Sequence, residues 1–158
     1  MLNILKHFDT HDIVEVDRLR IYDFYLLFPY KAFNIRLKST ETDYKKRLAR
    51  FVKEKKANPY NKTTSDRRLF LQLQRYQMIA LSHIASYGLI DPQLLLHQKV
   101  KVSDAAKMQQ VMSQLEEMSD MENNIISWLN SCFRTTPLAG TYGLKYRTQL
   151  LEYKYDGC

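Results

Sequence analysis

From Ile21 to Phe28 the chain reads IYDFYLLF, a run whose single charge is Asp23. A helix that is apolar on every side belongs in a core or an interface. Asp12 is placed to cap this helix, with Glu15 completing a capping box and Asp17 adding charge near the positive end of the dipole. Pro29 disfavours helical geometry at Phe28 and ends the element. Aromatic richness makes a strand the competing reading, but length and cap favour the helix. Residues 30–39 then read as a connection with a short extended piece from Phe33 to Leu37. Thr40 and Asp43 form a second capping box. Tyr44, Leu48, Phe51 and Val52 follow at i, i+4, i+7 and i+8, which is one helical stripe closed by Asn58-Pro59.

Thr63 to Asp66 opens a third helix that runs to Ser86. Its stripe is Leu69, Leu73, Tyr76, Ala80, Ile84 and Tyr87, widened by Phe70 and Leu81, as expected of the central helix of the fold. Gly88 has the position of a left-handed cap residue, with Pro92 soon beyond. Leu94 to Val102 (LLLHQKVKV) alternates at its end and predicts a strand. Ser103-Asp104 caps a helical tract to Phe133, in which Met108, Val111, Leu115, Met118, Ile125, Leu129 and Cys132 follow a heptad-like spacing interrupted by Glu122. Unbroken, the tract would reach about 45 Å; Ser119-Asp120 is where it would divide in two. It serves either the domain's own bundle or a partner's helix. Thr141 to Tyr155 alternates and predicts an extended tail. The expectation is a mainly α, single helical domain over residues 1–158, with a helical core at 12–133, a tail at 141–158 and a few short strands. A winged-helix-like arrangement would accommodate them, although only one strand of the wing is visible.

Charge changes this picture. Of the chain's 24 Lys and Arg residues, 14 lie between Lys31 and Arg75 against four acids, so that block carries +10 and the whole positive excess of +7. Such a block fits a polyanion or an acidic partner. Lys46, Arg50 and Lys53 fall opposite the apolar stripe of the second helix. With Lys45, Lys55, Lys56, Lys62, Arg67 and Arg68 they make one basic surface. Three readings stay open: nucleic-acid phosphates, an acidic protein face, or a solvated face balanced by Asp9, Asp12, Glu15 and Asp17. Phe33, Tyr44, Phe51 and Tyr60 occupy stripe or turn positions and read as core. Eleven tyrosines hint at an interface.

Catalytic patterns are missing. The four glycines (Gly88, Gly140, Gly143, Gly157) never cluster in phosphate-loop spacing, so nucleotide hydrolysis would come from another subunit. His7 and His11 are spaced for one helical face but lack a third ligand, and no metal or other cofactor is expected. His83 and His97 read as helix-edge and strand positions, and Cys132 lies on an apolar stripe as an inert thiol. Two cysteines, no leader-like segment and no apolar run long enough for a membrane give a reduced, cytoplasmic setting. The chain reads as a non-enzyme.

Two segments carry a resemblance: Asp17 to Pro29, DRLRIYDFYLLFP, and Gly143 to Asp156, GLKYRTQLLEYKYD. They resemble the middle component of prokaryotic ABC-three-component defence systems, which include Lamassu-type antiphage and antiplasmid cassettes. The resemblance implies a small non-catalytic subunit beside an SMC/Rad50-like ABC ATPase and an effector, often a nuclease. It places a partner interface at Arg18, Arg20, Tyr22, Tyr25, Phe28, Lys145, Tyr146, Arg147, Tyr153 and Tyr155. A stand-alone winged-helix or helix-turn-helix regulator is the alternative, and it predicts dimers on a palindromic site.

Overall fold

A computed structural model describes residues 1–53 and 65–152. Its helices are α1 (Leu2–Leu5), α2 (Val16–Leu27), α3 (Thr42–Leu48), α4 (Asp66–Ser86), α5 (Pro92–Leu96), α6 (Ala105–Met112), α7 (Asp120–Phe133) and α8 (Leu144–Thr148). The strands β1 (Val14–Glu15) and β2 (Lys99–Val100) pair antiparallel, Val14 with Val100 and Glu15 with Lys99. The protein is mainly α-helical, as the periodicities predict. It divides into two compact units, residues 1–23 with 73–117 and residues 24–72 with 118–158, so both α2 and α4 cross a boundary.

In the first unit β1 occupies the stretch that Asp12 and Glu15 were expected to cap. Asp12 instead accepts the backbone N–H of Asp9 at 2.7 Å, and the helix begins at Val16. The strand predicted from Leu94 to Val102 starts as α5, because Asp91 caps Gln93 and Leu94 and Pro92 sits in the first turn. Only Lys99–Val100 extends β1. Ile90 forms an isolated antiparallel bridge with Val102, and the helical turn α5 lies between Ile90 and β2. Gly88 closes α4 at φ +69°, the left-handed geometry expected of it.

The buried face of α4 runs through Phe70, Gln77, Leu81 and Ile84. Tyr76 and Tyr87, predicted for that face, are 71% and 70% exposed. Gln77 holds the inward position because it is hydrogen-bonded there. Its amide nitrogen donates to the Arg20 carbonyl at 3.1 Å and to Asp23 Oδ2 at 3.0 Å, while its oxygen accepts from Arg20 Nε at 3.1 Å. A buried amide so satisfied is compatible with a core. Gln77→Leu is expected to destabilise the protein by about 1–3 kcal/mol, because it strips partners from Arg20 and Asp23. A urea midpoint equal to that of the unmodified chain would refute this.

In the second unit α2 ends at Leu27, and Pro29–Asn34 continues as a 3-10 helix where a connection was predicted. The stripe Tyr44, Leu48, Phe51, Val52 is inward as expected, but α3 stops at Leu48 and only a turn follows. The tract to Phe133 is two helices. Ser119 accepts the Glu122 N–H, and Glu122 returns to the Ser119 N–H, a capping box that starts α7. The tail predicted as extended turns helical at α8, whose Thr148 hydroxyl donates to the Leu144 carbonyl at 2.9 Å. Phe24, Phe70, Trp128, Leu129 and Phe133 are among this unit's buried side chains.

Candidate functional site

In the second unit the turns after Glu41 gather the basic side chains. Lys45, Lys46 and Arg47 fill the last turn of α3, where cations complement the negative helix end. Two hydrogen bonds fasten this helix to α7. Trp128 Nε1 donates to the Tyr44 carbonyl at 3.0 Å, and Arg47 Nη2 donates to Ser131 Oγ at 2.6 Å. Edge-on contacts of Phe133 with Tyr44 and Trp128, at 5.8 and 5.5 Å, fix the same pair of elements. With Leu48 and Val52 buried, Lys45, Lys46, Arg50 and Lys53 are left exposed on one short segment.

Arg67 and Arg68, at the start of α4, are exposed as well. Arg67 pairs with Glu152 at 2.7 Å, but both side chains are half in water, so the pair is worth little. Lys31 is engaged with Asp66. Lys55, Lys56 and Lys62 lie outside the described residues, as do Tyr153, Tyr155 and Tyr60.

The residues assigned to a partner interface are placed differently. Tyr22 and Tyr25 are buried, and so are Arg18, Arg20 and Arg147, while Phe28, Lys145 and Tyr146 are half-buried. Arg18 donates to Glu15 and Arg20 to Asp17, each at 2.9 Å and each one helical turn back along the chain. Arg147 forks onto Glu41, Nη1 to Oε2 at 2.6 Å and Nη2 to Oε1 at 3.1 Å, and its Nε donates to the Tyr142 carbonyl at 2.6 Å. Burial opposes ionisation of Glu41, but the hydrogen bonds from Arg147 and the Lys38 N–H outweigh it and hold the carboxyl below its ordinary range. These arginines brace the fold. The pattern Glu/Asp-x-x-Arg at 15–18 and 17–20 was the available signal, since it pairs the charges locally.

Arg47, Asn124, Ser127 and Ser131 lie in no motif that marks them as functional in the sequence. The three α7 residues recur at i, i+3 and i+7, which puts them on one face. That stripe meets Arg47 and Arg50 in a groove of about 520 Å³. Among the described residues no group of three His, Cys, Asp or Glu could hold a metal ion, and no helix is long and apolar enough to cross a membrane. Burial pushes the Cys132 thiol up, away from nucleophilic use.

The family described as ABC-three component (ABC-3C) system Middle Component 5 matches residues 1–156. No curated protein and no solved structure matches the chain.

Proposed function

The chain belongs to the Middle Component 5 family of ABC-three-component systems, and from that premise we propose that it is a non-catalytic bridging subunit of an antiphage or antiplasmid complex of Lamassu type. In this reading it links an SMC/Rad50-like ABC ATPase to a nuclease effector in the cytoplasm and helps the assembly hold DNA. The family match over residues 1–156 carries the proposal. Two features of the structure support it. Lys45, Lys46, Arg50 and Lys53 form an exposed cationic row suited to phosphates or to an acidic protein face. Large side chains stand in water along and just after α4, among them Tyr76 and Tyr87, and tyrosine is a residue type enriched at protein interfaces.

Co-expression with the products of neighbouring reading frames tests the bridge. Recovery of a stable complex containing an SMC-like ATPase is the expected result, and a chain that elutes alone removes the reading. For the DNA role, binding should be sequence-blind and fall steeply with salt. The Lys46/Arg50/Lys53→Glu variant should lose it by at least about tenfold at physiological salt, as read by anisotropy of a labelled duplex. Undiminished binding by that variant transfers the DNA contact to another subunit.

A further inference from the structure

The groove in the second unit is walled on one side by Arg47 and Arg50 and on the other by Asn124, Ser127 and Ser131. The serines and Asn124 stand out on α7, where Ile125, Ile126, Leu129 and Phe133 are buried. No carboxylate lines the groove, and among the described residues neither guanidinium has an acidic side chain within salt-bridge distance. Arg47 is already oriented: it donates to Ser131 Oγ at 2.6 Å, and that hydroxyl donates to the Trp128 carbonyl at 3.0 Å. Arg50 is exposed.

Two guanidinium forks, an amide and hydroxyls, with no anionic acceptor among them, suit a ligand made of acceptor oxygens. A planar fork matches phosphate in particular. Phe51 and Trp128 complete the lining. A bare phosphate would leave that aromatic side uncovered, and a groove of about 520 Å³ holds much more than one phosphate. Aromatic side chains beside cationic ones are the chemistry by which bases and phosphates are held together. We infer that this groove is a nucleoside-phosphate site, in which Arg47 and Arg50 take the phosphate, Asn124 and Ser127 take polar edges and Phe51 covers the base. Its ligand is either a free nucleotide or the phosphorylated end of a strand. This goes beyond the bridging role, because it is a discrete, saturable site on the chain by itself.

Trp128 is the chain's one tryptophan, so its emission reports on the groove directly. The full chain is titrated with adenosine monophosphate, inorganic phosphate, and a short oligo-deoxyadenylate with and without a 5′-phosphate. A saturable change with the monophosphate or the phosphorylated strand, at least about tenfold tighter than with inorganic phosphate, is expected. The tighter of the two names the source. Arg50→Ala should weaken binding about tenfold, and Arg50→Lys less, because the charge stays while the fork is lost. Arg50 is exposed, so circular dichroism should be unchanged; Ser127→Ala, also exposed, is the second variant and should weaken binding too. Several results overturn the site: no saturable change, equal affinity for inorganic phosphate, unaltered binding in both variants, or equal competition by a glutamate hexapeptide. None of them bears on the bridging role, which is scored by co-purification.

Discussion

Arg147→Ala is expected to lower stability by about 3 kcal/mol, at the lower end of what removing one partner of a buried ion pair costs. For a chain of this size that corresponds to a melting temperature about 6–12 °C lower. Arg147 is 3% exposed at its side chain, and its loss leaves the Glu41 carboxylate and the Tyr142 carbonyl short of three donated hydrogen bonds. Replacing both partners tells the pair from the packing. Arg147→Met with Glu41→Leu should recover much of the loss, because no charge is then stranded. The same pair gives a pH signature. The folded Glu41 titrates below its unfolded value, so its contribution is complete above the ordinary glutamate value of about 4.3 and fades as pH falls through the lower folded value. Glu41→Gln should flatten the acid limb of the stability curve in that window. A parallel acid limb in the variant would count against the pair.

Phe24→Ala should cost about 3–5 kcal/mol, the range for deleting a buried aromatic ring. Phe24 has no exposed surface, and its ring meets Tyr25 and Phe28 at 5.3 Å and Phe70 at 5.9 Å, so the hole cannot close without moving three rings. Phe24→Leu should lose less, since it refills part of the volume. Phe51→Ala, at a half-buried position, should lose less still. Urea unfolding ranks the three. If Phe24→Ala unfolds at the same midpoint as Phe51→Ala, the account of this core is wrong.

The parts of the fold that were legible are those set by local chemistry. The apolar surround of α2, its stop at Pro29, the left-handed cap at Gly88 and the break at Ser119 all act within a few residues. What was hidden depends on partners far along the chain. Nothing near residue 77 says that a glutamine will face inward, because its partners Arg20 and Asp23 lie more than fifty residues earlier. For the same reason helical phase alone puts Tyr76 and Tyr87 on the inward face, whereas the structure leaves both exposed. Arg147 reads as a surface cation until Glu41, 106 residues away, is seen beside it. At the candidate site the exposed row Lys46, Arg50, Lys53 was visible from helical phase. The groove was not, because its other wall is a polar stripe on α7 whose register against α3 comes from tertiary contacts.

The division of the chain has a consequence for its biosynthesis. Each compact unit takes one stretch from the first half of the chain and one from the second, with residues 1–23 waiting for 73–117 and residues 24–72 waiting for 118–158. On the ribosome, then, neither unit can close while only the first seventy residues have emerged, and β1 has no strand to pair with until Val100 appears. Closure of such distant segments is slow compared with local helix formation. The closing stretches of each unit are made last, so the buried positions of α2 that they cover, Val16, Leu19 and Phe24 among them, stay incompletely covered until late in synthesis.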